Sequence, residues 1–536
     1  MWHTHKASEA AKGLGRAQPM RSVRIRILAG LLVLAAVGVG AWQFLPSKGD
    51  PKTITVGTTD GVTSLDPAGA YDAGSWALFS NVFQSLLTFA PGGTAPVPDA
   101  AKSCAFVRGD LTTYRCELRG GLTFPSGRTM NAEDVKYSFD RILNIKAPVG
   151  PASLLGTLGS VDADGMTVTF HLTSPDATFP FKVATGAGSI VDHTAYPAGK
   201  LRTGDRVDGT GPYTLTSYAK DHDAVLAPNQ HYRGAVSGTG RPVELRYYAT
   251  PEALDTAWKD KRVEVATDQL PPGVLAGLNP SDPTQRVYEA DGSETRNLYF
   301  NTRSGKPLHG AKVRRAIAWL TDRERLAATV YDGTVDPLYS LIPAGLTGHT
   351  ASFFDDYPKP DPGKARQLLT QAGVSLPVHF TYGYAKGRGA GEQEGAEIKK
   401  ELEASGLFKV TLKGYEWTAF QKQWASGELD AYAVGWVADF PDPDTFGAAL
   451  VGTGSAMNTG YSSKTVDRLI KDSRRFAERT EADQDFRSVQ ETVAQDVPVL
   501  PLWQAKEYVV TTEDVGGGQY LSDGTGVFRL WSLTTL

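Results

Sequence analysis

The sequence predicts an α/β protein with two or three domains. The chain has 536 residues, which is too many for one hydrophobic core. Segments of alternating polarity and segments of helical spacing both occur along it, joined by long connections rich in turn residues. Residues 257–265 also resemble residues 423–431, each with the pattern of a helix end, a tight turn and a strand. Two lobes of similar construction would produce this likeness, and chance is the alternative.

The composition is that of an ordinary globular protein. Hydrophobic residues make up 41% of the chain and aromatic residues 10%, and the formal net charge is −4. No basic stripe runs along the sequence, so nucleic acid is not expected as a partner. No fixed repeat period indicates a solenoid.

The amino terminus predicts export. Residues 1–26 are basic, and the apolar run 27–45 is about long enough to cross a bilayer core. Because arginines precede the run, the positive-inside rule places the rest of the chain outside the cytoplasm. The run continues through Trp42 and Phe44, which favours an uncleaved signal anchor; a cleaved signal peptide is the alternative. Residues 46–52 form a linker.

Cys104 and Cys116, the only two cysteines, predict a structural disulfide. The residues between them have the pattern of a hairpin with its turn near Gly109 and Asp110, and facing strands of a hairpin can meet disulfide geometry. Outside the cytoplasm such a bond would persist. A redox pair normally has much closer spacing, and two cysteines alone make a poor metal site.

Local signals place the first elements of the exported body. A strand is predicted at Thr53–Gly57. Asn131 is a predicted helix N-cap, followed by apolar residues at helical spacing. Gly165–Leu172 alternates with a period of two and predicts a further strand.

Helix signals dominate the later part of the body. Val313–Leu320 has one apolar face, and Thr321–Glu324 fits a capping box that starts another helix. Asp361 precedes a proline as N-cap and N1 of a third helix, which Gly373 ends. A fourth helix carries Ile398 and Leu402 and is expected to stop at Gly406.

The segment 435–446 is the candidate functional loop. It follows Leu429–Val434, whose apolar residues suit a buried strand, and it begins with Gly435 and Trp436. Three carboxylates, two phenylalanines and two prolines follow within the loop. An apolar wall beside fixed negative charge suits a small cationic or zwitterionic ligand.

The three aspartates of this loop have different expected roles. Asp439 stands where the strand ends and is the expected ligand contact, whereas Asp442 and Asp444 suit ordinary Asp-Pro turn chemistry. A calcium loop would need a glycine at its sixth position, which is missing here. A pair of glycosidic carboxylates would need one carboxyl group with a raised pKa and a defined separation between the two. The loop offers no obvious partner that would raise such a pKa, and a sequence does not give the separation.

No catalytic or cofactor-binding motif is present in the sequence. It lacks a Gly-x-Ser-x-Gly elbow, a His-Glu-x-x-His pair and a phosphate loop with its lysine. The nine histidines are scattered. The chain is therefore expected to be no enzyme, with no cofactor and no metal.

Several motifs of the exported body keep the order and spacing of a known family. Strand, turn and helix residues of this kind are Cys116–Phe124, Gly127 and Asn131–Arg141. Further segments follow through the body: Leu65–Pro67, Gly209–Tyr213, Asn229–Gly234, Leu298–Thr302, Val313–Ile317, Gln371–Gly373, Trp436-x-x-Asp439 and Val497–Trp503. Together they resemble the ABC-importer solute-binding proteins of the oligopeptide and dipeptide class (solute-binding family 5), and the resemblance covers about residues 53–536.

This resemblance implies a two-lobed periplasmic-binding-protein-like clamshell of type II with an additional inserted domain. Lobe I would be discontinuous, the inserted domain would interrupt it, and lobe II would follow. The expected ranges are 53–90, 205–300 and 500–536 for lobe I, 91–204 for the inserted domain and 301–499 for lobe II. The crossings between lobes would fall near Asn301 and Leu500.

The resemblance also implies ligand contacts. In peptide binders of this family an aspartate at the Trp-x-x-Asp position holds the ligand's α-ammonium, and Asp439 matches it. The expected contacts are Asp439, Trp436, Gly435, Tyr71, Tyr299, Trp417 and Trp503. For the aromatic residues the alternative is a place in the core of a lobe. Tyr71 departs from the acidic residue that some oligopeptide binders carry there, and Arg296, Arg303 and Arg388 are all possible partners for the ligand's carboxylate.

The implied function is that of an extracytoplasmic receptor for an ABC importer. It would capture short peptides in the cleft between lobes and present them to separate permease subunits with their ATPases. The protein is expected as a monomer at the outer face of the membrane, held by its amino-terminal segment, or secreted after cleavage. Alternatives are a non-peptide solute in the same fold (a nickel complex, haem, a sugar or an opine) and an anchored peptide sensor.

Overall fold

Two long antiparallel strands run through the centre of an eleven-stranded mixed sheet and join its two halves. They are β12 (Gln285–Phe300) and β17 (Val499–Thr512). The computed structural model describes residues 52–107, 109–236, 240–267, 270–522 and 527–536, and the sheet has eleven strands within these ranges. Thr53–Leu536 forms one compact unit.

Strands and helices alternate along this unit, as the sequence predicts for an α/β protein. The other strands are β1 Ile54–Thr58, β2 Leu87–Phe89, β3 Pro96–Pro98, β4 Ala101–Phe106, β5 Thr113–Leu118, β6 Leu158–Asp164, β7 Thr167–Leu172, β8 Tyr213–Ala219, β9 Asp223–Pro228, β10 Val243–Tyr247, β11 Val265–Ala266, β13 Val335–Pro337, β14 Val378–Ala385, β15 Phe408–Tyr415, β16 Ala431–Trp436, β18 Val515–Gly516 and β19 Thr534–Thr535. The helices are α1 Ala73–Val82, α2 Ala132–Ile145, α3 Phe179–Val183, α4 Pro251–Lys259, α5 Pro272–Ala276, α6 Ala311–Ala318, α7 Arg323–Val330, α8 Ser352–Asp356, α9 Pro362–Ala372, α10 Gly391–Ala404, α11 Trp417–Ala425, α12 Asp444–Val451, α13 Lys464–Ser473 and α14 Asp483–Asp496.

The large sheet divides at the two long strands. One half has the order β15-β14-β16-β12 and the other β17-β11-β1-β10-β9-β8, with β13 added to β17. The first half packs in a large apolar core built from residues between Leu298 and Trp503, which we call lobe II. The second half, which we call lobe I, packs in two apolar cores. One core includes Ile54 and Leu533, and the other includes Leu254.

The crossing between the lobes lies inside the long strands. On β12, Thr295–Phe300 pair with β16 of lobe II, whereas the first half of β12 pairs only with β17. The side chains of Leu298–Phe300 and Val499–Leu502 are buried in the lobe II core. These pairings indicate a change of lobe near residues 291–296 and 503–506, a few residues from the predicted crossings near Asn301 and Leu500. The division of the chain among the lobes stays a prediction.

The inserted domain is a second sheet with its own core. Its strands have the order β4-β5-β7-β6, and α2 contributes Val135 and Phe139 to the apolar cluster beneath them. Cys104 and Cys116 face each other on β4 and β5 and form the predicted disulfide. Ala68 and Leu86 of lobe I join the same cluster, so the domain is packed on lobe I.

The short internal similarity in the sequence corresponds to the same unit in both lobes. Helix α4 leads through Lys261 into β11, and α11 leads through Gly427 into β16. Lys261 and Gly427 hold equivalent positions and both have positive φ, at 56° and 71°. Each strand then lies between a parallel neighbour and a crossing strand: β11 between β1 and β17, β16 between β14 and β12.

Two family motifs meet in a buried ion pair. The Arg141 guanidinium, near the end of α2, donates to both Asp66 carboxylate oxygens at 3.0 and 2.7 Å. Both side chains are almost fully buried. Asp66 also accepts from the backbone N–H groups of Ala68 and Arg202. The pair ties the inserted domain to the lobe I segment that leads to Tyr71.

Most predicted helix ends are confirmed, with one correction. Asn131 caps α2, and Asp361 caps α9, which ends at Gly373 in the left-handed conformation. The capping box predicted at Thr321 is wrong. Asp322 is the N-cap of α7 because its carboxylate accepts from the Arg325 N–H, and the Thr321 hydroxyl donates to the Ile317 carbonyl instead.

The predicted membrane segment 27–45 lies outside the residues that the structure describes. Within those residues, no helix has the length and apolar character needed to cross a membrane.

Candidate functional site

Tyr71 and Asp439 bring the two lobes into contact. Tyr71 precedes α1, which begins where the Asp72 carboxylate accepts from the Ser75 N–H at 2.8 Å. Asp439 follows the end of β16 by three residues. The Tyr71 hydroxyl donates to Asp439 Oδ2 at 2.6 Å. The candidate loop thus faces lobe I across the cleft.

Asp439 is a buried carboxylate whose hydrogen-bond donors are hydroxyls. It is 6% exposed, and it accepts from Tyr71 and, at 3.1 Å, from the Thr445 hydroxyl. Within the described residues it has no ion pair. Burial raises the pKa of Asp439 to about 7, although the two hydroxyls and the charge of Lys182 act in the opposite direction. A cation placed here would restore the ionised form.

Asp442 and Asp444 are held by arginines. Asp442 accepts two hydrogen bonds from Arg479, at 2.6 and 3.1 Å, and Asp444 accepts two from Arg474, both at 3.0 Å. Asp442 also accepts from the Asp444 N–H at 2.9 Å, which shapes the turn into α12. Both carboxylates are thus paired within the protein, and in the described part of the chain Asp439 is the one aspartate of the loop without a cationic partner.

Aromatic rings form a wall beside Asp439. The ring of Tyr71 stacks on Trp76 at 5.2 Å and meets Trp436 edge-on at 6.1 Å. Trp436 is half-buried, and its indole N–H is buried without a hydrogen-bond partner in the described structure. These rings offer an apolar surface with one unused donor next to the carboxylate.

Tyr299 and Trp503, both expected ligand contacts, lie in the lobe II core. Tyr299 is 0% exposed and stacks on Tyr432 at 5.3 Å. Trp503 is 7% exposed, and its indole N–H donates to Glu394 at 3.0 Å. This is the alternative that the sequence left open for them. Contact of either ring with a ligand stays a prediction.

Trp417 lies under an arginine that spans the cleft. The Arg388 guanidinium covers the Trp417 ring at 4.3 Å from its centre. The same guanidinium lies 4.0 Å from the carboxylate of Asp60, which follows β1 in lobe I. Trp417 is half-buried at the start of α11, and the Arg388 side chain remains 39% exposed.

The inserted domain also touches lobe II. Phe181 on α3 packs against Phe440 of the candidate loop at 5.8 Å, and the Ala177 N–H donates to the Arg474 carbonyl at 2.8 Å. Phe440 is fully buried in the core cluster of the inserted domain. The structure therefore shows the lobes in contact around the loop, in a closed arrangement.

Glu294 is a cleft residue that the sequence reasoning missed. It lies on β12 next to Gly435, where an added Cβ would overlap its carboxylate. Burial raises the pKa of Glu294 to about 7, Arg296 opposes this, and the charges of Asp60 and Glu394 add to it. Its sequence neighbourhood carries no motif, because only the pairing of β12 with β16 brings it to Gly435.

One group of side chains has a metal-like arrangement in the described residues. Asp134, Asp192 and His193 place one ligand atom each within 4.8 Å of one another. Arg128 lies among them and donates to both aspartates. An arginine in this place neutralises the carboxylates and competes with any cation.

A cavity of about 230 Å³ between Pro212, Tyr232 and Trp531 is also separate from the cleft residues.

Comparison with known sequences identifies the family. The model described as "Bacterial extracellular solute-binding proteins, family 5 Middle" matches residues 95–458. The chain belongs to this family. Its relatives are extracellular binding proteins, in agreement with the predicted export and with the disulfide.

Relatives of this family 5 protein bind different solutes. The Di/tripeptide-binding protein 2 of Pseudomonas aeruginosa is 29% identical over 532 residues, which covers 91% of this chain and 95% of the relative. The Heme-binding protein A of Haemophilus influenzae is 26% identical, with coverage of 81% and 82%. The periplasmic binding protein DppA from Helicobacter pylori, solved with the peptide STSA, has a TM-score of 0.80 at 23% identity, with coverage of 90% and 98%. The predicted two-lobed fold is confirmed by this likeness.

Proposed function

We propose that this family 5 protein captures short peptides outside the cytoplasm and delivers them to the permease of an ABC importer. The observation that carries this is Asp439: a buried carboxylate with no cationic partner in the described structure, at the contact between the lobes. Relatives named as di/tripeptide-binding proteins and the DppA structure with a bound peptide support the same solute class.

The α-ammonium of a peptide suits Asp439. Two unit charges about 4 Å apart attract by roughly 4 kcal/mol at an effective dielectric near 20. Desolvation of both ions opposes part of this gain. The hydroxyls of Tyr71 and Thr445 already hold one oxygen, Oδ2, which fixes the orientation of the carboxylate and leaves Oδ1 for the ligand.

Strand β16 offers a backbone edge for the same ligand. On the β14 side only Ala431 and Tyr432 are paired, so in the described residues Ala433–Trp436 has a strand partner only on the β12 side. An extended peptide with its amino group at Asp439 can lie along this edge. Backbone hydrogen bonds of this kind give affinity without reading side chains.

Of the three arginines considered for the ligand's carboxylate, the structure favours Arg388. The Arg296 guanidinium is paired with the buried Glu394 at 3.0 Å. Arg303 donates to Asn458 through two nitrogens, at 2.8 and 2.6 Å. Among the described residues, Arg388 is held only by the Trp417 ring and a long 4.0 Å contact to Asp60, and it lies at the cleft.

Closure of the lobes would couple binding to transport. A ligand that contacts both lobes stabilises the closed state over the open one by its differential affinity. The permease and its ATPases would be separate chains that recognise this closed state. We further propose that the protein acts as a monomer, held at the membrane by residues 27–45 or released after their cleavage.

Thermal-shift screening of the exported body (residues 53–536) against di- to pentapeptides tests this function. A ligand at 100 times its Kd stabilises the folded state by about 2.7 kcal/mol, so at least one free-amine peptide should raise the melting temperature by several degrees. Haem and a nickel chelate belong in the same screen because the family includes a haem-binding relative. If these raise the melting temperature and no peptide does, the peptide assignment is wrong.

A further inference from the structure

A second carboxylate of the cleft is without a partner in the part of the chain that the structure describes. Glu294 is half-buried on β12 and has no hydrogen bond or ion pair within the described residues. It lies just beyond the ladder that joins β12 to β16, where Thr295 is opposite Trp436. Its carboxylate therefore lies at the same end of β16 as the loop that carries Asp439.

The local backbone directs Glu294 out of the regular sheet. The register of β12 against β17 shifts between Asp291 and Thr295, and Glu294 is inside this irregular stretch. Such bulges re-aim side chains next to functional sites. Gly435, which pairs with Arg296 in the ladder, provides the room, because a side chain there would collide with Glu294 Oε1.

Within the described residues, neither of the nearby arginines pairs with Glu294. Arg296, two residues along β12, is bound to Glu394, which is fully buried and also accepts from Tyr331 at 2.7 Å. Arg388 is placed over Trp417 and contacts Asp60. Asp60 lies close enough to oppose the ionisation of Glu294 rather than favour it. The charge of Arg296 favours the ionised form of Glu294, but burial and the charges of Asp60 and Glu394 outweigh it. This half-buried carboxylate therefore has no counter-ion of its own within the described residues.

We propose that Glu294 binds a second cationic group of the ligand, so that the protein prefers peptides carrying a lysine or arginine side chain. The α-ammonium would occupy Asp439, and the basic side chain would pass Gly435 to reach Glu294. This inference rests on the proposed peptide-binding function. It adds a substrate preference that the backbone edge of β16 cannot supply, because backbone pairing is indifferent to side chains.

Titration calorimetry with matched tripeptides tests the preference. The reference is trialanine, and each alanine in turn is replaced by lysine or by norleucine, which has a similar length and no charge. We expect the native protein to bind one lysine peptide about tenfold more tightly than its norleucine counterpart. Glu294→Gln should abolish this difference while trialanine affinity stays within about twofold. Glu294→Asp, which keeps the charge, should retain part of the preference.

Glu289→Gln is the matched control. Glu289 is an exposed carboxylate on the same strand, paired with Lys506 at 3.3 Å, and its replacement should leave the lysine preference unchanged. If the native protein binds trialanine but treats lysine and norleucine alike at every position, Glu294 has no such role and the peptide function stands. Retention of the preference in Glu294→Gln would also overturn the inference. If no peptide binds the native protein, both the proposed function and this inference fail.

Discussion

The Tyr71 hydroxyl and Asp439 Oδ2 lie 2.6 Å apart, although 368 residues separate them in the chain. Tyr71 comes from lobe I and Asp439 from the loop after β16 in lobe II. The bond fixes the carboxylate at the base of the cleft and links the lobes directly. It makes Asp439 both a ligand anchor and a point of closure in the proposed mechanism.

Replacement of Asp439 by asparagine should remove the anchor for the ligand's amine. The side chain keeps its shape and loses its charge, so affinity for free-amine peptides should fall by about 10- to 100-fold, in line with roughly 1.5–3 kcal/mol for a hydrogen bond to a charged group. Calorimetry measures the loss. N-acetylated peptides bind without an ammonium and should change little; an equal loss for both kinds would contradict the assignment.

Replacement of Tyr71 by phenylalanine should weaken peptide binding less strongly. It removes one donor that favours the ionised carboxylate, so the pKa of Asp439 should rise and affinity at pH 7 should fall by about three- to tenfold. The ring contacts with Trp76 and Trp436 are kept. Tyr520→Phe is the control, because Tyr520 is an exposed tyrosine. Unchanged affinity in Tyr71→Phe would show that the bond is unimportant for binding.

Peptide affinity should rise as the pH is raised from 5.5 to 7.5. The pKa of Asp439 is raised from its ordinary value of 3.8 to about 7, so at lower pH a proton occupies the site and competes with the ammonium. The Kd should improve by up to about tenfold per pH unit below 7. The peptide's own amine has a pKa near 8, so measurements should stop at pH 7.5. Asp439→Asn should remove most of this slope.

The unliganded protein should show the opposite trend in stability. A carboxylate whose folded-state pKa is raised favours folding below its unfolded pKa and loses this contribution as pH rises toward the folded value. For Asp439 and Glu294 the window is about pH 4 to 7. The free energy of unfolding, measured with denaturant, should therefore fall across this window more steeply for the native protein than for Asp439→Asn. If the difference in free energy of unfolding between the two proteins does not change with pH, the pKa of Asp439 is not raised.

Replacement of Arg388 by glutamine should reduce affinity for peptides with a free carboxylate by about tenfold. The charge-assisted hydrogen bond to the ligand is lost, while the stem still covers Trp417. Peptides amidated at the carboxyl terminus should bind the native and variant proteins alike. Arg487→Gln, which affects an exposed pair within α14, is the control. A comparable loss for amidated peptides would point to a structural role instead.

Replacement of Arg141 by methionine should destabilise the protein. It leaves Asp66 as an uncompensated buried charge, and such a loss costs about 3–5 kcal/mol. Denaturant unfolding measures the difference. Lys136→Met on the same helix breaks only a half-exposed pair with Asp140 and should cost at most about 1 kcal/mol. Similar costs for both variants would show that the Asp66 pair carries no special weight.

Helix caps and turns were predictable because their signals are local. Asn131 and Asp361 cap helices through hydrogen bonds to backbone groups two or three residues away, so a short window of sequence contains the whole interaction. The error at Thr321 has the same origin: two adjacent residues can both cap a helix, and only packing decides between them. Cys104 and Cys116 were likewise separated by a single hairpin.

Site residues were harder to rank because their neighbours come from distant segments. The sequence contained three aspartates in one loop, and only the fold brought Arg474 and Arg479 to two of them. Tyr299 and Trp503 had the residue type of a cleft wall, yet the sheet turns both into the lobe II core. Glu294 had no local signal at all.

By itself, the sequence determined the α/β class, the disulfide and the family to which the chain is similar, whereas the export signal stays a prediction. These depend on local patterning or on motifs that remain recognisable along the chain. Only the tertiary structure decided which carboxylates of the described residues have no cationic partner, because this depends on side chains brought together across the crossing strands. The free energy of an unpaired buried charge is set by every group around it, and those groups lie hundreds of residues apart in this chain.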